Sequence, residues 1–265
     1  MEDAIEYFAV FGGFGTEIDM SVPLVDLITL HVLDRYKYLR NDISQYISKD
    51  DLFPFILTGA ATGDRRTNSA FKRAKVAYNN GMDCVEDLLD LNIIKLESSF
   101  LQNNVSQKII FTSPFVRFWF AFISPLFTGI KNGKYTEFYE TFKNQRMEFT
   151  QFIFEQLCHE FVKLSFKDEK IYNIGRYWDE KTDINLVAKT KSGKIIAGSC
   201  RYTNSKIKKS ELNRLKDDCE KVGLNPDTLI IFTKKGYTSE LKSLKNKTLQ
   251  LLTCRNLKVL CEDEN

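Results

Sequence analysis

The twenty residues DINLVAKTKSGKIIAGSCRY, positions 183–202, constrain this chain more than any other stretch. Apolar and polar residues alternate on either side of a Lys-Ser-Gly-Lys turn, the pattern of two strands joined as a β-hairpin. A hairpin alone is only marginally stable in water, so neighbouring segments must cover its apolar face. KIYNIGRYWD (170–179) supplies a further strand region before it. SELNRLKDDCEKVG (210–223) reads as a helix and DTLIIFT (227–233) as a buried β-branched strand. A helix around 239–245 and a last short strand near Lys258 close the chain. The order helix, three strands, helix, strand predicts an α/β arrangement on a mixed sheet. The leading helix is the long segment 138–166, with Phe149, Ile153, Leu157 and Phe161 at four-residue intervals.

Upstream, the pattern is helical to about Asn41, with FGGFG (11–15) as a loop. DLFPFILTGAATG (51–63), RRTNSAFKRAKVA (65–77) and NNGMDCVEDLLDLNIIKLES (79–98) predict three helices, the second capped by Thr67 or Asn68. IIKLESS and QKIIFTS then read as short strands about the polar turn LQNNVS (101–106). Three helices followed by a two-stranded flap is the winged-helix plan. PFVRFWFAFISPLFTGI (114–130) predicts a buried aromatic helix; it falls short of the ~20 apolar residues a membrane span needs. The divisions are therefore a helical extension (1–50), a winged-helix-like domain (51–113), an aromatic connector (114–150) and an α/β domain (151–265).

Charge is distributed unevenly. Residues 1–60 hold four Lys/Arg against ten Asp/Glu, whereas 181–260 hold eighteen against seven. The basic half suits a polyanion; a lysine-decorated solvated surface gives the same count. Six cysteines without a C-x-x-C pair, beside only His31 and His159, cannot build a zinc site and read as reduced thiols of a cytoplasmic protein. The acidic start lacks the basic region of a signal peptide. G-x-x-x-x-G-K-[ST] occurs nowhere, and GIKNGKYT (129–136) has the wrong spacing, so no nucleotide site is expected.

Several blocks carry a resemblance: ILTGAATG, TSPFVRFWFAFISP, FEQLCHEF, IGRYWDEKTDINLVA, GSCRY and IIFTKKGYTSEL. In this order they resemble the C-terminal region of archaeal-type DEXX-box ATPases, a winged helix followed by a nuclease-like tail of the PD-(D/E)xK type, without the ATPase domain. The resemblance covers about four fifths of the chain. It implies a nuclease-type sheet in which Asp and Glu on adjacent strands hold a divalent cation that activates water. A Lys two residues past the Glu shares its strand face.

This sequence departs from that pattern at each central position. The first strand reads Asp183-Ile184-Asn185, and the second reads Gly198-Ser199-Cys200-Arg201. An amide, a hydroxyl and a guanidinium that cannot act as a base replace the two carboxylates and the lysine. Asp183 and the helix carboxylate Glu155 are the two groups that could still hold Mg²⁺ in a shifted geometry. The expectation is otherwise a cofactor-free, degenerate site that binds nucleic acid, DNA before RNA. Arg201 would sit in the phosphate position, surrounded by Lys189, Lys191 and Lys194 on the hairpin and by Lys206, Lys208, Lys209 and Arg214 beyond it. Arg73 and Lys75 add basic charge in the winged-helix half. Its third helix is acidic through Asp83, Glu86, Asp87 and Asp90, which points instead to a protein partner, such as a separate ATPase.

Overall fold

The computed structural model describes residues 2–101, 105–166 and 170–261; residues 102–104 of the expected LQNNVS turn lie outside them. The chain forms two compact units. One comprises Glu6–Ser98 and Ser106–Phe149, and the other Met1–Ile5, Ser99–Val105 and Thr150–Asn265.

The first unit is mainly helical. It contains most of α1 (Glu2–Phe11), α2 (Leu24–Ile28) with a π-helical turn (Thr29–Leu33), and α3 (Tyr36–Ile47). Next come α4 (Phe53–Ala61), α5 (Thr67–Ala74) and α6 (Tyr78–Asp90), followed by an antiparallel ribbon of β1 (Ile94–Glu97) and β2 (Lys108–Phe111). Two glycines set how closely the three helices approach. A Cβ on Gly59 would lie 2.6 Å from the Ala70 carbonyl oxygen, and one on Gly81 would lie 2.8 Å from the Phe71 ring. Arg66, in extended conformation, caps α5, whereas Thr67 is already helical and shares a 2.7 Å hydroxyl contact with Ser106.

The aromatic run is not one helix. α7 (Pro114–Phe118) enters a π-helical turn (Trp119–Ile123), and α8 (Phe127–Lys131) starts afresh beyond Pro125, which has no N–H to continue the ladder. Phe115, Phe118, Trp119, Phe120, Phe122 and Ile123 are buried. So is Arg117, whose guanidinium donates to Ala61 O and Phe149 O and stacks 4.1 Å above the Phe149 ring. Those acceptors make a charge tolerable in an apolar core. Among the described residues no helix is long and apolar enough to cross a membrane.

The second unit is a mixed five-stranded sheet in the order β3-β4-β5-β6-β7. β3 (Ile171–Trp178), β4 (Asp183–Thr190) and β5 (Ile195–Arg201) form an antiparallel meander, and Gly193 supplies the positive φ of the β4–β5 turn. β6 (Thr228–Thr233) and β7 (Leu249–Thr253) join in parallel. The last strand is thus at 249–253; Lys258 lies in the 3₁₀ segment Cys254–Cys261 that follows.

Helices cover both sheet faces. α10 (Lys209–Lys221), between β5 and β6, packs Leu212, Leu215 and Cys219 with Ile184, Val187, Ala197 and Ile231. α11 (Ser239–Ser243) adds Leu241 to that core. The C-terminal half of α9 (Thr136–Ser165) lies on the opposite face, where Phe154 meets Tyr202 at 5.4 Å and Phe161 meets Phe232 at 5.7 Å. Its stripe differs from the expected one. Phe152, Ile153, Phe154, Cys158 and Val162 are buried, while Leu157 and Phe161 are partly exposed.

Candidate functional site

A register shift decides where the hairpin residues point. Gly175 pairs with Val187 and Tyr177 with Ile184, so Asn185 and Leu186 together oppose Arg176. This is a β-bulge, which re-aims side chains. Val187 and Ile184 consequently both face α10, three residues apart. Asn185 is turned to α9 instead. Its amide nitrogen donates to Glu155 at 3.0 Å, and its oxygen accepts from Cys200 N at 3.2 Å. Ser199 and Arg201 follow the parity of Ala197 and face α10. The expected constellation is therefore split: Asn185 and Glu155 meet on one face, Ser199 and Arg201 on the other.

On the α9 face the network is structural. Past the Leu186–Gly198 pair, β5 has no further register partner on β4. Side-chain amides take over: Gln151 donates to Cys200 O at 2.8 Å and accepts from Tyr202 N at 2.7 Å, beside the Asn185 bond to Cys200 N. Glu155 orients both amides by accepting from Gln151 at 2.6 Å and Asn185 at 3.0 Å. Its other oxygen meets Arg176 Nη1 at 2.7 Å, with side chains only 7% and 2% exposed. Arg176 also stacks 4.7 Å above Phe152.

Glu155 is thus committed to a buried ion pair and two amides, not poised beside Asp183 for a cation. Asp183 is exposed at the start of β4. Among the described residues no group of three or more His, Cys, Asp or Glu is arranged to hold a metal ion. His159 is also locked. Its Nε2 lies 2.7 Å from Asn185 O, an atom that can only accept, so the neutral ring carries its proton there. Burial, then the charge of Arg176, lowers its pKa to about 4. Cys158 and Cys200 are buried neighbours on this face, and burial first, then the adjoining thiol, raises the Cys158 pKa.

On the α10 face a carboxylate has arrived from outside the motif. Glu211 Oε1 accepts from Ser199 Oγ at 2.5 Å, Arg201 Nε at 2.9 Å and Arg214 Nη2 at 2.6 Å. Burial works against its ionisation, but hydrogen bonds from Arg214 and Ser199 and the charge of Arg201 outweigh it and lower its pKa. Arg214 also reaches Asp218 at 2.8 Å, which Lys221 meets at 3.3 Å. Burial opposes the Arg214 charge, yet Glu211, Asp218 and more weakly Asp183 raise its pKa. Arg201 and Arg214 are therefore ion-pair partners of Glu211 and Asp218 and not bare cations.

The basic residues also divide. β5 runs from Ile195, opposite Lys189, to Arg201, about 20 Å at strand rise. Lys189, Lys191 and Lys194 thus stand at the hairpin end, away from Arg201 and not around it. At the carboxyl end, Ile207 bridges to Tyr237 as a short parallel extension. Exposed Lys206 and Lys208 flank buried Ile207, with exposed Lys235 on the adjoining segment. Lys209 meets Glu240 at 3.4 Å, and Lys234 packs 4.4 Å above the Tyr202 ring.

In the helical unit Arg73 is not a free cation. It donates to Gly59 O at 2.7 Å and Thr62 O at 3.2 Å, closing the end of α4, and lies 3.7 Å from Asp64. Lys75, at φ 57°, forms the left-handed cap of α5 with its side chain exposed.

Sequence reasoning missed Glu211, Asp218, Gln151 and Arg176. The spacing of Glu211, Arg214 and Asp218 on a helix was a readable signal of an ion-pair ladder. Nothing local marks Gln151 or Arg176, whose partners lie across the sheet.

No curated protein sequence matches this chain. Among solved structures, human N-acetylserotonin methyltransferase in complex with SAM is similar at 9% identity, over 88% of this chain and 67% of that one. Its TM-score of 0.22 is too low to inform fold or activity. From Trp119 to Leu215, a span that includes the α9-face network and Ser199, Arg201, Glu211 and Arg214 of the other, the chain is similar to the DUF234 family, described as archaeal and bacterial proteins of unknown function.

Proposed function

We propose that the sheet unit is a PD-(D/E)xK-type domain that has lost cleavage and binds nucleic acid, DNA in preference to RNA, through the carboxyl end of β5 and β6. The supporting observation is the arrangement there. Arginines hold the nearby carboxylates Glu211 and Asp218, while Lys206 and Lys208 stand exposed on either side of the Ile207–Tyr237 bridge. Their charge is left for an external polyanion. Loss of cleavage is supported by the amide of Asn185, by Ser199 and Arg201 facing away from it, and by the commitment of Glu155 to Arg176. The similarity over 119–215 is compatible with the C-terminal region of archaeal-type ATPases.

In the helical unit, α4 to α6 with the β1–β2 ribbon follow a winged-helix plan. Asp83, Glu86, Asp87 and Asp90 line the solvent side of α6. That favours a protein contact over a DNA groove, and a separately encoded ATPase is the partner we assign to it.

Fluorescently labelled duplex and single-stranded oligonucleotides, titrated at several salt concentrations with and without Mg²⁺, test the binding reading. Salt-sensitive binding with strands intact on a denaturing gel is expected. Lys206→Glu with Lys208→Glu should weaken it and reduce the slope of log affinity against log salt by roughly one for each phosphate no longer neutralised. Metal-dependent cleavage would overturn the reading, as would binding indifferent to both substitutions and to salt.

A further inference from the structure

We infer that the hairpin end of the sheet is a stacking platform for single-stranded nucleic acid, with Tyr172 beneath a base and lysines on the flanking phosphates. Tyr172 is the most exposed aromatic of the sheet unit at 74%. Its position is built by a second bulge: Ile171 pairs with Thr190 and Asn173 with Lys189, so Tyr172 is the extra residue between two pairs. Regular alternation would place it with Ile174 and with Arg176, which reaches α9; the bulge turns it out to solvent instead.

Two lysine rungs bracket it. Lys191 N donates to Lys170 O at 3.0 Å just before the bulge, and Lys189 sits opposite Asn173 just after it. Lys170, Lys189 and Lys191 are all exposed. Lys189 on β4 and Lys191, one residue past its end, are two positions apart, about 7 Å at strand rise, close to the separation of successive phosphates in an extended single strand. An aromatic face flanked by cations takes an unstacked base of any sequence; a duplex keeps its bases stacked and offers only phosphates.

The inference rests on the nucleic-acid reading of this unit but uses different residues, so each can fail separately. Fluorescence anisotropy with a labelled oligothymidine and a duplex of equal length distinguishes them. Tyr172→Ala should weaken oligothymidine binding about tenfold and leave the duplex within twofold, while Tyr172→Phe keeps both. Lys189→Glu with Lys191→Glu should reduce the salt dependence of single-strand binding. Polyglutamate of matching charge should compete poorly.

Equal losses on both ligands, no effect of Tyr172→Ala, or competition by polyglutamate as strong as by unlabelled oligothymidine would overturn the platform. If only Lys206→Glu with Lys208→Glu then weakens binding, the proposed function stands without it. Single-strand binding that depends on Tyr172 but not on Lys206 and Lys208 supports the platform and relocates the main contact surface. No binding of either ligand at low salt removes both.

Discussion

Glu155 and Glu211 are carboxylates held by arginine on opposite faces of one sheet, and burial separates their roles. Glu155 meets Arg176 at 2.7 Å with almost no exposure of either side chain. Glu211 meets Arg201 and Arg214 at 2.9 and 2.6 Å, but those arginines are more than a third exposed. In a low-dielectric interior a missing partner leaves an uncompensated charge, whereas at a wet rim water replaces it. The first network holds the strand together where its ladder fails. The second sets how much positive charge the carboxyl end shows to solvent.

The sharpest way to break this comparison is Glu155→Ala. It strands buried Arg176 and frees two amides that complete β5, so about 3–5 kcal/mol of stability should be lost in chemical denaturation. Replacing both partners, Glu155→Met with Arg176→Met, should recover much of it. A single-variant loss near that of a surface pair would show that the buried network is not structural.

Acid titration comes next, because His159 sits on the same buried face. Its folded pKa near 4 lies below the unfolded value of about 6.5, so the unfolded chain binds the extra proton between these limits. His159 therefore contributes its full stability above about pH 6.5. As pH falls toward 4, up to about 3 kcal/mol is lost. The lowered pKa of Glu211 acts in the same direction at lower pH: its contribution is complete above about 4.3 and is lost as pH falls through its folded value. Denaturant midpoints measured across pH 7 to 4 check this; a flat profile between 6.5 and 4.5 would count against a buried neutral His159.

The smallest expected effect is that of Glu211→Gln. At a partly wet rim it should cost about 1 kcal/mol and be sensitive to salt. It also releases Arg201 and Arg214, so nucleic-acid affinity should rise while stability falls. Affinity and stability falling together would mean that Glu211 positions the arginines for the ligand and does not mask them.

Much of the fold was legible because its signals are local. The alternation of 183–202 gave the hairpin, the β-branched run gave β6, and helical spacing gave α4, α5, α6 and α10. The aromatic run looked continuous because apolar residues say nothing of the break at Pro125. The site was less legible. Asn185, Ser199 and Arg201 were readable as departures from a metal-binding pattern. Their partners were not, because Glu155 lies 30 positions from Asn185 and Glu211 lies 10 from Arg201.

By itself, then, the sequence determined which residue types stand at the centre of the hairpin and which half of the chain is basic, since both follow from residue identity alone. Only the tertiary structure decided which way those residues point and where the basic charge gathers. Period two fixes faces along a regular strand, but an extra residue opposite a single partner shifts every later side chain by one step. The bulges at Tyr172 and at Asn185–Leu186 do this in adjacent strands. They turn one side chain outward to solvent and one inward to a helix, and no alternation in the sequence marks either.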